Sequence, residues 1–376
     1  MYRNKHQNWQ IFAAAMALTL GARTLRASSL TFTCDTSAAA DPDTYAAGTC
    51  SYLNSTISTL YTSTFSNINA SIYVEQSSTT ALGQSNTGYD TVLSYSNYLY
   101  QLTKTASSNS TDTSAIAALN SVDNAVYNTG SGSNVVIPSA LASAVGLSGQ
   151  TGVTAGGLAC SIGHAGCYNG IIYITTPANL SAESNDTQSL YWRQSGGTIA
   201  ADQYDVYTIL EHETDEILGT TSCVSTDLAN LSLQAVCGNI GANTVAAVDL
   251  FRYNAAGSLA VGSDYVGQPS APAGAYFSFD GGVTNGADGA VYNTLSNGLD
   301  YADFVPTCTF VQDASGCLGQ TADITNDGGA EVNILDAIGY NLTSAQTSST
   351  PSAPEPGTWA LFGIGFAGTI LSRRLK

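Results

Sequence analysis

Between Tyr204 and Leu218 the chain places Val206, Ile209, Leu210 and Ile217 at helical spacing, and the same wide face carries His212, Glu213 and Glu216. Turning that face inward buries two carboxylates and an imidazole, which is costly unless something compensates them. A fold built on this segment must therefore bring positive charge to one side of a helix. Thr208, Glu211, Thr214 and Asp215 fall on the opposite side, which the pattern assigns to solvent.

The chain has little positive charge of its own to bring. From Leu30 to Ala353 the only basic residues are Lys104, Arg193 and Arg252, whereas every one of the 28 acidic residues except Glu355 lies there. Such a surface repels nucleic acid and anionic lipid, so no nucleic-acid partner is expected. A divalent cation can supply what the side chains lack, because His212 and Glu216 at i and i+4 bring their heads to one point. Glu213, one step round the helix, then faces a metal-activated water as general base, the cation lowering the pKa of that water toward about 7. Zn2+ is the expected ion.

Both ends of the chain read as address labels. Arg3 and Lys5 precede the apolar run Ile11–Leu20, with small residues at Ala22 and Ala27, the pattern of a secretory signal peptide over residues 1–28. Residues 344–353 form a Ser/Thr/Pro linker. Then come Pro354, Glu355 and Pro356, the apolar run Trp359–Leu371, and Arg373, Arg374 and Lys376. This order closely resembles the PEP-CTERM sorting signal of bacterial surface and exopolysaccharide-associated proteins, over residues 354–376. The resemblance implies an exosortase-type enzyme as a partner, transient membrane contact through a short C-terminal helix, and a final location in the cell envelope, on the surface or in the extracellular matrix. A run of this length spans a bilayer poorly, which suits transient retention.

Export agrees with the cysteines, which fall into four close pairs: Cys34 and Cys50, Cys160 and Cys167, Cys223 and Cys237, Cys308 and Cys317. An even number in an exported chain argues for disulfides. Sequential pairing is one of about a hundred connectivities that eight cysteines allow.

Helices are expected at Tyr52–Phe65, Thr91–Thr105, Ser114–Val126, from Pro138 within Val135–Leu147, and at Ala330–Ile338. Strands are expected at Asn69–Val74, Gly170–Ile174, Thr244–Tyr253 and Ala275–Asp280. Helices and strands mix without βαβ alternation, so the class is α+β.

Four blocks carry a wider resemblance: His212–Gly219 (HETDEILG), Asp249–Tyr253 (DLFRY), Ala275–Gly282 (AYFSFDGG) and Leu335–Tyr340 (LDAIGY). Together they resemble a bacterial metalloprotease family that often carries PEP-CTERM tails, with coverage from about Tyr52 to Leu342. An H-E-x-x-E-x-x-G core is usual in that family, so Glu216 fits its pattern. The resemblance implies one zincin-like, metzincin-related domain over residues 30–343 and a protein or peptide substrate.

The third ligand stays open. In the metzincin pattern the last histidine falls on Ser222, and Asp227 and Asp249 are the candidates in its place. Asp249 has a structural alternative, a salt bridge with Arg252. His164, between Cys160 and Cys167, reads as a loop residue. Tyr340 is similar in position to an oxyanion-stabilising tyrosine of some metzincins, with core packing as the simpler reading. Asp280, Asp288, Asp300 and Asp303 offer oxygen ligands of the kind Ca2+ takes, although their spacing matches no EF-hand loop. The expected activity is a metal-dependent endopeptidase. Its rival is a non-catalytic surface or exopolysaccharide-matrix protein that keeps a zincin-like shell.

Overall fold

The computed structural model describes residues 28–35, 48–77, 82–88, 91–126, 134–176, 180, 189–223, 244–260, 274–293 and 300–347. Nearly all of the signal-peptide region and all of the sorting tail lie outside these residues. Among the described residues no helix is long and apolar enough to cross a membrane.

The fold is α+β. Its main sheet runs in the order Ser29–Cys34, Asn69–Ser77, Gly170–Thr175, Gly83–Thr87. The first three strands are parallel, and Gly83–Thr87 lies antiparallel on the outer edge, with Gly83 opposite Ile174 and Thr87 opposite Gly170. Ile72 and Val74 on one central strand and Ile171, Ile172 and Ile174 on the other are all buried. That near-continuous apolar content is what parallel strands covered on both faces require.

A single helical rod, Thr49–Tyr52, a π turn at Leu53–Ile57 and Ser58–Thr64, joins the first two strands and packs on Ser29–Cys34. The strands at Asn69 and Gly170 and the helix Ala330–Ile338 stand where the residue pattern puts them. The helix expected at Ser114–Val126 begins earlier, as Ser110–Val126.

Other segments divide where a local hydrogen bond outweighs periodicity. Thr91–Ser94 is a strand paired antiparallel with Asn134–Ile137, and the helix Tyr95–Thr105 starts only after Ser94, whose hydroxyl accepts from the Asn97 amide at 3.3 Å. Pro138, where the helix start is expected, separates the strand Asn134–Ile137 from the helix Ser139–Ala144 through its fixed φ and without a capping bond. The expected strand Thr244–Tyr253 is broken by a 3-10 turn at Val248–Phe251. Only Tyr276–Phe277 of Ala275–Asp280 is strand, because Asp280 turns the chain by accepting from Ser278 Oγ at 2.7 Å and the Thr284 amide at 2.9 Å. Ser344–Thr347, read as linker, forms a short helix.

The larger correction concerns the supposed solvent side of the helix Val206–Asp215. Glu211, Thr214 and Asp215 are all 0 % exposed. Tyr61 donates its hydroxyl to Asp215 at 2.7 Å, the Ile324 amide donates to Glu211 at 3.1 Å, and Thr208 Oγ1 donates to the Ala322 carbonyl at 2.9 Å. The chain thus covers this side with donors. Burial pushes the carboxyls of Glu211 and Asp215 well above their ordinary range, against the pull of Arg193 on the first and of the Tyr61 hydroxyl on the second. In the neutral form they need no cation.

Disulfides join Cys34 to Cys50, Cys160 to Cys167 and Cys308 to Cys317. Cys223 is disulfide-bonded too, whereas Cys237 lies outside the described residues.

Asp336, in the LDAIGY block, accepts from Asn109 Nδ2 at 3.0 Å and from the Leu342 amide at 3.3 Å. Burial, reinforced by Asp112, pushes its carboxyl up to about 8. The folded state therefore binds a proton that the unfolded chain releases near pH 4. The stability tied to that proton is full in acid and is lost as pH rises from about 4 through about 8. Thermal unfolding between pH 4 and 9 should show Tm falling with pH, and Asp336→Asn should flatten that fall. An unchanged slope in the variant would remove Asp336 as the cause.

Candidate metal centre

The helix that carries the motif is fixed at both ends. Asp205 caps its start, accepting from the amides of Tyr207 at 3.4 Å and Thr208 at 3.2 Å, and Arg193 Nε donates to the same carboxylate at 2.9 Å. After Asp215 the helix widens into a π turn at Glu216–Thr220. Gly219 ends it with φ +132°, a backbone that other residues rarely adopt, and a Cβ there would stand 3.1 Å from Ile338 and 3.2 Å from Leu141.

His212 Nδ1 lies 3.0 Å from the carbonyl oxygen of Val311. A carbonyl only accepts, so Nδ1 carries the hydrogen of the neutral imidazole and the Nε2 lone pair is left for a ligand. Nε2 stands 3.7 Å from Glu216 Oε1 and 3.6 Å from Asp303 Oδ1. Those gaps are too long for direct hydrogen bonds. They are close to the separation of about 3.5 Å between two ligands that each lie about 2.1 Å from one tetrahedral ion. One ligand atom from each of His212, Glu216 and Asp303 lies within 4.8 Å of the others, a group that could hold a metal ion. The Ser85 hydroxyl on the edge strand donates to the second Glu216 oxygen, and Gln312 Nε2 donates to Asp303 at 3.1 Å.

Glu213 sits beside this group, only 5 % exposed. Gly83 of the edge strand makes room for it: a Cβ at that position would come 2.5 Å from Glu213 Oε1. A cleft of about 500 Å3 opens here between the motif helix, the edge strand and the loop closed by Cys308 and Cys317.

Charge is badly matched at this spot. Burial, with Glu216 beside it, pushes the Glu213 carboxyl well above its ordinary range. Burial likewise lifts Asp303 to about 7, although His212 pulls it back. Burial would lower His212, but Asp303, Glu216 and Glu213 outweigh it and hold the imidazole well above its usual value. Glu216 alone is lowered: burial opposes that shift, and His212 and the Ser85 hydroxyl overcome it. Three carboxyls around one imidazole leave an excess of negative charge that a divalent cation answers.

The expected ligands divide. His212 and Glu216 converge, whereas Asp249 belongs to a different network. Its carboxylate accepts from the Ser222 hydroxyl, the Cys223 amide at 2.8 Å and the Ala246 amide at 3.0 Å, with Arg252 Nε at 3.9 Å. Both of its oxygens face these donors and not the group around His212, which is the structural alternative that its place near Arg252 offered. Asp227 lies outside the described residues. Ser222 donates its amide to Asp300 at 3.0 Å, and Tyr340 is buried in the core, donating to the Leu218 carbonyl at 2.9 Å. His164 is exposed in its disulfide loop.

The four aspartates singled out for Ca2+ form no common site among the described residues. Asp280 serves its own turn, Asp300 accepts from the Ser222 and Ala302 amides, and Asp303 faces His212. Asp303, read in the sequence only as one of four oxygen donors for Ca2+, is the carboxylate that the fold brings to His212 and Glu216. It lies far downstream of the helix in an irregular acidic loop, and no fixed spacing marks it.

The PEP-CTERM protein-sorting motif matches residues 352–374. No curated protein and no solved structure matches the chain. The motif makes this an exported protein, processed by an exosortase-type enzyme and sorted to the cell surface or extracellular matrix.

Zinc titration of two variants separates the two acidic networks. Asp303→Ala should weaken zinc binding by at least ~10-fold while lowering the metal-free Tm less than Asp249→Ala does, since it strands one donor, Gln312 Nε2. Asp249→Ala strands the buried Ala246 amide and the half-buried Cys223 amide at up to ~1–3 kcal/mol each, so it should lower Tm by roughly 5 °C or more and leave zinc stoichiometry intact. The opposite pattern would return Asp249 to the ligand set.

Proposed function

We propose that the protein is a surface-sorted, zinc-dependent endopeptidase of zincin-like architecture, with His212, Glu216 and Asp303 as ligands and Glu213 as general base. The observation that carries this reading is the spacing of Nε2 from its two carboxylates, 3.7 and 3.6 Å, around an imidazole whose other nitrogen is already committed to Val311. When bound, the ion acts as a Lewis acid that polarises a carbonyl and brings the pKa of a water toward about 7.

Glu213 accepts the proton of the attacking water and returns it to the leaving amide nitrogen, the paired duty of one carboxyl in peptide hydrolysis. Its burial under Gly83 suits that duty, since a raised pKa brings the group closer to the working pH. Among the described residues the edge strand Gly83–Thr87 pairs on one side only, with Gly170–Thr175, and residues along it line the cleft. An extended peptide laid along its open side would gain main-chain hydrogen bonds and bring a peptide bond past Glu213. A mixed sheet with an antiparallel edge strand beside the motif helix supports the zincin-like reading of the fold.

The cleft also favours one kind of peptide. Among its described lining residues there is no lysine or arginine, whereas Glu213, Glu216, Asp300, Asp303 and Asp313 all contribute. Substrates with positive side chains would be drawn to it.

Two measurements test this. Zinc-loaded Glu213→Gln should retain the metal and lose ~10^2–10^4-fold in peptide hydrolysis; equal rates in wild type and variant would leave the non-catalytic surface protein as the reading. Among peptides of equal length, those with lysine and arginine should be cut faster than those with aspartate and glutamate, by a margin that shrinks as salt rises. No preference at low salt would remove the electrostatic account of specificity.

A further inference from the structure

We infer that Gln312 is a positioning residue for this centre, holding Asp303 directly and His212 through the peptide it shares with Val311. The inference rests on reading His212, Glu216 and Asp303 as metal ligands. Gln312 is 0 % exposed, and each of its polar groups has a partner. Its Nε2 donates at 3.1 Å to Asp303 Oδ1, the same oxygen that faces His212 Nε2. That bond uses one lone pair of the oxygen and leaves another for an ion.

The orientation of the amide is set from its other end. Thr220 Oγ1, in the π turn that closes the motif helix, donates to Gln312 Oε1 at 3.3 Å. The side chain therefore ties the end of the helix bearing His212 and Glu216 to the separate loop bearing Asp303. A neutral amide does this without adding charge to a place already crowded with carboxyls; a glutamate there would present only acceptors to Asp303.

The main chain at this point completes the argument. The Val311 carbonyl faces His212 Nδ1, and the Val311 amide donates to Asp327 at 3.4 Å. The Gln312 amide donates to Glu331 Oε1 at 2.9 Å, and the Gln312 carbonyl accepts from the Phe304 amide at 2.8 Å, one residue past Asp303. Two consecutive residues thus contact two ligands that come from distant parts of the chain. They are clamped from behind by two carboxyls and lie inside the loop closed by Cys308 and Cys317. Partners that orient ligands in this way commonly contribute ~10–100-fold in metal affinity.

The test uses the full-length protein with Zn2+ and Co2+ as probes, comparing wild type, Gln312→Leu and Gln312→Glu. Zinc affinity is read by competition with a chromophoric chelator, geometry by the visible absorption of the cobalt form, and folding by circular dichroism of the metal-free protein. Gln312→Leu is of similar size and adds no charge, so it should fold even if Gln312→Glu, which sets a further carboxyl against Asp303, does not. Folded variants should bind zinc ~10–100-fold more weakly and give a shifted cobalt spectrum. Wild-type affinity and an unchanged spectrum in a folded variant would overturn the role of Gln312 while leaving the metal centre standing. If the wild type itself binds neither ion, the metal centre fails and the inference with it.

Discussion

The structure depends on how it buries carboxyls in a chain that has almost no cations to pair with them. The motif helix is buried on every side but the one that lines the cleft, and along it lie Glu211, Glu213, Asp215 and Glu216. Arg193 is the basic side chain that reaches this helix, and it is already committed to Asp205 at the cap, with Glu211 at 3.8 Å. An unpaired buried charge costs far more than the fold has to spare. Two solutions coexist on one helix. On the side facing Tyr61 and Ile324 burial raises the carboxyls well above their ordinary range and each accepts one hydrogen bond, whereas on the cleft side they gather around His212 in a group that could hold an ion.

The same economy recurs away from the helix. Asp249 is satisfied by a hydroxyl and two amides and Asp300 by the amides of Ser222 and Ala302, while one oxygen of Asp313 accepts from amides of its own loop. Backbone donors cost no side-chain entropy and carry no charge, which lets a strongly acidic chain build an interior. These bonds also connect distant parts of the fold. Asp249 and Asp300 both hold Ser222, just past the motif helix, while Arg252 donates to the Tyr301 carbonyl in the loop that leads to Asp303. The DLFRY block therefore braces the loops at Ser222 and Tyr301 that flank the cleft.

Much of the fold was legible because it rests on short-range pattern. The alternation in Asn69–Ser77, the apolar run at Gly170 and the spacing of Ala330–Ile338 each reflect one dominant face, and these elements stand where the pattern puts them. Reading failed where a single local bond redirects the chain, as at Ser94 and Asp280, or where a polar helix face is covered by remote segments, as at Glu211 and Asp215. Periodicity reports which residues are apolar. It cannot report that Tyr61 or the Ile324 amide will arrive to satisfy a buried carboxyl.

By itself the sequence determined the helix, the convergence of His212 and Glu216 at one turn's separation, the placing of Glu213 beside them, and the sorting signal at the C-terminus, because each is set by residues close together in the chain. The tertiary structure decided which groups stand around them. Asp303 and Gln312 reach it from loops with no fixed spacing to the helix, and Asp249 is withheld from it by amides that only folding brings near. The difference is physical. A helix turn imposes its own geometry on residues four apart, whereas a ligand from a distant loop is chosen by whichever packing leaves the fewest buried charges and amides without partners.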